Sequence, residues 1–277
     1  MCGSGLWLNC WGSVASPKLP ELLAGIPRIG GFSRPTLQKI ISLEPDLIIA
    51  TSDAQADTVA VSLKAGLPVL ALNPHRLCDI EQNIHLIGAA LGVSAAAKWL
   101  AIGFATELAS LRVPRAAGTR PAIFFEEWPD PLVGGIGWVG DLIDHLGGLD
   151  VFAELRSKRS ANERRIDPNE VLARNPALIV ASWCGKPVEV AQICARPGWD
   201  ELPAVRMRRV HEIHSDEILQ AGPNILRGAS ALSRIITDFS KYNGANGHSI
   251  YDLYEDRRCW PDASGRYVRC GQDRCPN

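Results

Sequence analysis

Nowhere in these 277 residues does an apolar run approach the ~20 residues that cross a bilayer as a helix, so no segment reads as a membrane span. Charge of one sign is also missing: 29 Lys and Arg stand against 30 Asp and Glu, a formal net charge of −1. That balance gives no electrostatic reason to expect a nucleic-acid partner. Paired C-x2-C knuckles are absent among the eight cysteines, and three of these, Cys259, Cys270 and Cys275, crowd into the last 20 residues, so zinc is not expected. The chain carries no G-x-x-x-x-G-K-[ST] loop, no G-x-S-x-G elbow and no H-E-x-x-H pair. Met1 to Trp11 is apolar but has no Lys or Arg and no small-residue cleavage site, so it does not read as an export signal.

What is present is an internal near-repeat. Leu37 to Ala50 reads as an amphipathic helix, a stop at Pro45, and then a continuous apolar run; Pro168 to Ala181 reads the same way around Pro176. Proline cannot continue a helix and disfavours helix at the residue before it. The apolar runs Leu47–Ala50 and Leu178–Ala181 suit strands covered on both faces, as in a parallel sheet. A second strand follows each copy, Leu67 to Pro74 and Arg209 to Asp216. Two helix–strand–helix–strand units imply two α/β lobes.

Between the units, Asp79 to Leu91 has apolar residues at helical spacing, with Asp79 at its N-terminus, and Ala95 to Arg112 is a second helical stretch capped by Ser94. The chain therefore divides into a segment 1–26, a first α/β lobe 27–78, a helical linker 79–113, a second lobe 114–240 and a Cys-containing tail 241–277.

Several strings then fall into order. Pro27 to Pro35 with Leu37 to Ala50 resembles the first-lobe motif of ABC-transporter substrate-binding proteins that take cobalamin or iron chelates. Glu126 to Leu132, Gly137-Trp138, Gly147-Gly148, Ala181 to Lys186, Arg196 to Asp200 and Leu219 to Pro223 resemble second-lobe motifs of the cobalamin-binding branch. The resemblance covers about residues 20–240 and implies two Rossmann-like lobes with parallel sheets joined by a long helix. It implies ligand capture between the lobes, at the carboxyl ends of parallel strands. It further implies partnership with a permease and its ATPase, a monomeric chain, a location outside the cytoplasmic membrane, and no catalysis or resident cofactor. Members carry a strand–helix–strand unit ahead of the Pro27 motif, where this sequence has 26 residues. Members also dock through one acidic residue per lobe. The matching positions are Gln38 and Asn169, both amides, with Glu170 adjacent as a substitute.

A large flat chelate needs aromatic walls and a few polar anchors. The expected walls are Phe32, Trp128 and Trp183, and the expected anchors are Asn73, Glu126, Glu127 and Asp216. Glu126 and Glu127 are neighbours on an extended strand, so they point to opposite faces and only one need meet the ligand. Trp99, Trp138 and Trp199 read as packing residues. His75 and His214 end matching strands and are the candidate metal-centre ligands. The expected cargo is a corrinoid; a ferric siderophore or haem is the alternative. Gly135-Ile-Gly-Trp-Val-Gly140 matches G-x-G-x-x-G and keeps a nucleotide-using enzyme open, and the amide docking positions keep a non-transport remnant open.

Overall fold

The computed structural model describes residues 26–32, 35–113 and 120–244, with side chains to 241, and the backbone of short strands at 13–14, 259–261 and 267–269. The tail cysteines Cys259, Cys270 and Cys275 thus fall outside the residues whose side chains are described.

In the first lobe, β1 (Ser13–Val14) runs parallel to β2 (Arg28–Gly30). A strand therefore lies within the segment 1–26. Next come α1 (Leu37–Ser42), β3 (Ile48–Ala50), α2 (Ala56–Lys64) and β4 (Val69–Ala71), with β3 and β4 paired in parallel. The apolar side chains buried here, among the described residues, are Ile40, Ala50 and Leu72, while Ile41, Ile49, Val61 and Leu63 are exposed.

The linker is a helical hairpin. α3 (Leu77–Ala90) and α4 (Ser94–Ser110) are joined through Gly92, whose φ of 70° suits glycine. Gly88 lets the helices touch: a Cβ there would lie 2.1 Å from the Ala97 side chain. Ala97, Ala101, Phe104 and Leu108 form one stripe of α4 and pack into the second lobe's core. The linker therefore belongs energetically to the second lobe. Trp99 departs from its reading as a packing residue: it lies on the far side of α4 from that stripe and is 74% exposed.

The second lobe contains β5 (Ala122–Pro129), β6 (Leu132–Gly134), α5 (Gly137–Leu146), β7 (Leu149–Asp150), α6 (Pro168–Arg174), β8 (Leu178–Ala181), α7 (Val190–Cys194), α8 (Pro203–Arg206), β9 (Val210–Glu212), α9 (Ser215–Ile218) and α10 (Ile225–Gly244). A further antiparallel pair, β10 (Cys259–Pro261) and β11 (Tyr267–Arg269), follows. The main sheet has five strands in the order β6-β5-β8-β9, with β7 also on β5; β5, β7, β8 and β9 are parallel and β6 is antiparallel. Alternation decides which face each side chain serves. Ile123, Phe125, Leu178 and Val180 join α3, α4, α5 and α10 on one face. Phe124, Ile179 and Ala181 meet Trp183, Ile193 and Trp199 on the other. A sheet buried on both faces explains why its strands read as unbroken apolar runs.

The near-repeat has a conformational counterpart. Glu44 and Asn175, each just before the proline of its copy, adopt φ of 46° and 48°. Both helices thus end in a left-handed residue, which aims the chain into the following strand.

Candidate functional site

The carboxyl ends of β5, β8 and β9 bring together the residues expected at the site on the second lobe. β5 runs through Glu126, Glu127 and Trp128 to Pro129, and its register against β6 shifts between Glu126 and Trp128. The two glutamates do point apart. Glu127 receives Arg164 in a two-pronged ion pair, at 2.5 and 3.1 Å, and Arg164, 2% exposed, also donates to the Gly134 carbonyl at 2.6 Å.

Glu126 is fully buried. Arg196 donates to its two oxygens at 2.5 and 2.9 Å, and the Trp183 indole N–H donates at 3.0 Å. Trp183 is itself only 4% exposed and belongs to the core with Phe124 and Trp199. This revises the reading of both as ligand-facing residues. On the sheet face that Glu126 shares with Phe124, Trp183 and Trp199 cover the end of β5, so the carboxylate and indole satisfy each other and Arg196 inside the lobe. Their effect on the surface is indirect: they anchor the start of the loop that continues as Cys184-Gly185-Lys186.

That loop meets the end of β5 at a pocket of about 290 Å³, lined by Glu127, Trp128, Pro131, Val133, Ala161, Asn162, Arg165 and Cys184. The Trp128 indole N–H donates to the Asp130 carbonyl at 2.9 Å, which holds the ring, and Lys186 Nζ lies 4.8 Å from the ring centroid. Burial, then the charges of Glu127 and Asp216, pushes the Cys184 thiol above its ordinary value, keeping it protonated and poorly nucleophilic. Asp216 sits in the first turn after β9, beside His214 at 3.7 Å, with one carboxylate oxygen buried and unpartnered.

On the first lobe, Phe32 is 44% exposed and its carbonyl accepts from the Gln55 side chain at 2.9 Å. Asn73, exposed, accepts from the Asp53 backbone N–H at 3.2 Å. His75 is buried, with Nε2 unpartnered. Burial and the charge of Arg159 lower its pKa, so the ring is neutral near pH 7. The Arg156 carbonyl, like that of His75, lies against Gly137, so the start of the segment that carries Arg159 sits beside the end of the first lobe. Ala161, Asn162 and Arg165 of that segment line the pocket, and sequence reasoning did not single them out. Arg156, Lys158, Arg159, Arg164 and Arg165 form a dense basic run in an otherwise balanced chain, and that density was the available signal.

The hinge is pinned. Arg76 forms a two-pronged ion pair with Asp141, at 2.8 and 2.6 Å, and Asp141 also accepts from the Leu77 N–H at 3.0 Å. The glycine run belongs to this hinge. A Cβ on Gly137 would lie 2.5 Å from the His75 carbonyl and 2.7 Å from that of Arg156, and one on Gly140 would meet Arg156 and Asp150 at 2.5 Å. Two carbonyl oxygens at the start of α5 leave no cradle for a phosphate, and the strand before it, β6, is antiparallel rather than part of a βαβ unit. Among the described residues, no group of three His, Cys, Asp or Glu is placed to hold a metal ion.

The expected docking residues are all at the surface. Gln38 lies in the first turn of α1, and Asn169 and Glu170 lie in the first turn of α6, where the Asn169 backbone and side chain both donate to Asp167 at 2.8 and 3.0 Å.

Two α/β lobes, a pinned helical hinge and an aromatic pocket at strand carboxyl ends define a bilobal ligand-binding protein. The profile described as "Periplasmic binding protein" matches residues 4–217, and the chain belongs to that family. Curated relatives include the uncharacterized ABC transporter substrate-binding lipoprotein YvrC of Bacillus subtilis (strain 168), 23% identical over 84% of this chain and 74% of the relative. The vitamin B12-binding protein of Vibrio parahaemolyticus is 25% identical over 75% and 74%, and the Fe(3+) dicitrate-binding periplasmic protein FecB of Escherichia coli (strain K12) is 28% identical over 80% and 73%. Among solved structures, the periplasmic heme-binding protein RhuT of Roseiflexus sp. RS-1 aligns with a TM-score of 0.70 at 24% identity, over 82% of this chain and 89% of RhuT. The vitamin B12 binding protein BtuF of Vibrio cholerae aligns at 0.63 and 22%, over 80% and 85%. At these identities the structural matches establish the fold alone. The family makes the chain a substrate-binding protein, and the curated relatives are substrate-binding proteins named for an ABC transporter, for vitamin B12 and for ferric dicitrate.

Proposed function

We propose that the chain captures a metal chelate in the cleft between its lobes and delivers it, as a monomer outside the cytoplasmic membrane, to a permease driven by an ATPase. The observation that carries this reading is the pocket at the carboxyl ends of β5 and β8, with the half-buried face of Trp128 as its wall. Large aromatic faces give contact area at low entropic cost, which suits a flat or compact chelate. Glu127 and Asp216 on the second lobe and Phe32 and Asn73 on the first are the proposed contacts. Glu126, Trp183 and Arg196 position the wall from behind. Gln38, Asn169 and Glu170, exposed in the first turns of two corresponding helices, are the proposed docking contacts; the amides replace ion pairs with weaker hydrogen bonds.

A corrinoid is the first candidate cargo, supported by the second-lobe motifs and the vitamin B12-binding relatives. A ferric chelate is supported by the relative named for ferric dicitrate. Calorimetric titration of the full chain with cyanocobalamin, ferric citrate and haem tests the reading. One-to-one binding at micromolar affinity or better, about −8 kcal/mol, is expected for at least one of them. The Trp128→Ala variant should weaken that binding tenfold or more; unchanged affinity would refute the cleft wall.

A further inference from the structure

The outer face of α4 is apolar and bare. A helix apolar all round is ordinarily enclosed by protein on every side. α4 is enclosed on one: Ala97, Ala101, Phe104 and Leu108 pack into the second lobe, while Trp99 is 74% exposed and Ile102 45%. Ala95, Trp99, Ile102, Thr106 and Ala109 are all exposed and follow one another at alternating steps of four and three residues. That spacing sets them in a single seam along the helix, opposite the buried stripe. The seam carries no charge, and Lys98 and Glu107 stand on its two flanks. The Thr106 hydroxyl donates to the Ile102 carbonyl at 2.7 Å, so the polar group of the seam is satisfied within its own helix. A Cβ on Gly103 would meet nothing within 4 Å, so a hollow lies one turn along from the projecting Trp99. Leu91, ahead of the helix, and Leu100, on its flank, are exposed and extend the apolar surface.

We propose that this seam packs against the same seam of a second copy of the chain, the two α4 helices running antiparallel across a two-fold axis near Ile102. Apolar residues at a mean spacing of about 3.5 are what two helices need to stay in contact along their length. With the axis near Ile102, Trp99 of one copy falls opposite Gly103 and Thr106 of the other, bulk against space, and the symmetry repeats that fit on the far side of the axis. A parallel pair would instead set Trp99 against Trp99. Trp99 alone leaves roughly 150 Å² open, and with Leu91, Leu100, Ile102 and the small residues between them the face reaches roughly 500–600 Å². Two such faces bury roughly 1,000–1,200 Å², just enough for a specific interface. An interface of that size forms a reversible pair, and its dissociated form is the monomer of the reading above. A lipid surface is a poorer fit, because it calls for a basic fringe, and α4 offers one lysine and one glutamate. The pocket's lining residues and the docking residues Gln38, Asn169 and Glu170 all lie on other elements, so neither is used up by the pairing.

Sedimentation velocity of the full chain reads the pairing, as a 30.0 kDa species giving way to one of twice that mass. The concentrations run from about 1 µM to a few hundred µM, the range in which so small an interface comes apart. The expected result is reversible dimerisation with a dissociation constant on the order of 10 µM. Trp99→Lys and Ile102→Lys each put a charge into the seam and should raise that constant at least tenfold. Gly103→Leu fills the hollow without adding charge and should do the same. All three positions are exposed, so circular dichroism should show each variant folded like the parent. Co-sedimentation with phosphatidylglycerol vesicles runs alongside. A parent that stays at 30.0 kDa throughout would overturn the proposal, and if that monomer is carried down with the vesicles the face belongs to lipid. A dimer that all three variants form as tightly as the parent would put the contact elsewhere on the chain and overturn it equally.

Discussion

Glu126 is the residue whose removal should damage the protein most. Its carboxylate is fully buried and accepts three hydrogen bonds, two from Arg196 and one from the Trp183 indole. In Glu126→Ala the Arg196 guanidinium keeps its charge and loses its counter-ion, in a side chain only 15% exposed. Breaking a buried pair from one side costs about 3–5 kcal/mol. The stranded indole N–H adds about 1–3 kcal/mol. Two effects reduce the sum. Arg196 still lies over the Trp199 ring, 4.5 Å from its centroid, and its remaining exposure admits some water. A net loss of about 4 kcal/mol follows, against a total stability of roughly 5–15 kcal/mol. Glu126→Gln, which can still accept from the indole, should lose about half as much. Urea unfolding followed by circular dichroism measures both variants, with the slope checked for constancy so that midpoints convert to free energies. A loss below about 1 kcal/mol in the alanine variant would refute the reasoning, because it would mean that Arg196 finds water without moving the lobe.

Two further predictions concern the hinge and pH. Gly137→Ala replaces glycine at the first position of α5, where propensity alone should stabilise by less than the roughly 1 kcal/mol of a helix interior. The new Cβ would nevertheless lie 2.5 and 2.7 Å from two backbone carbonyls that cannot swing away, so a net loss of about 1–2 kcal/mol in urea unfolding is expected, and a stabilised variant would contradict the packing. His75 and His211 are both held below their ordinary pKa of 6.5, chiefly by burial. The unfolded chain therefore takes up these protons at higher pH than the folded one. The stability they contribute is complete above about pH 6.5 and declines as the pH falls through the folded values. Melts at pH 7.5, 6.0 and 5.0 should show this fall, reduced in His211→Gln; a flat profile would count against the burial of these rings.

Much of the fold was legible because its signals are local. Pro45 and Pro176 stop helices wherever they occur, and a strand covered on both faces needs four apolar residues in a row, as Leu178–Ala181 supplies. The near-repeat followed from those two constraints, and the structure adds left-handed residues, Glu44 and Asn175, directly before the prolines. The linker was less legible. α4 is apolar on nearly every face, so its sequence alone does not say which stripe is buried, and Trp99 was placed inside when it stands outside. Only the approach of α3 at Gly88 and Ala97 selects the Ala97–Leu108 stripe.

The candidate site divides along the same line. Trp128 at the end of a strand was visible from order and composition, because strand ends in α/β sheets are where ligands gather. Which of two adjacent glutamates faces inward was not, since alternation fixes only that they differ. That choice is made by Arg196 and Arg164, 70 and 37 residues away, and a charged partner at such separation leaves no periodic trace in the chain. The same holds for Trp183. An indole beside Cys184, Gly185 and Lys186 looks like a loop residue, yet a buried carboxylate is a strong enough acceptor to draw its N–H inward. With Trp183 inside, the pocket keeps one aromatic ring in its lining, Trp128, and its charged side chains are Glu127 and Arg165, the second of which comes from a segment with no motif of its own.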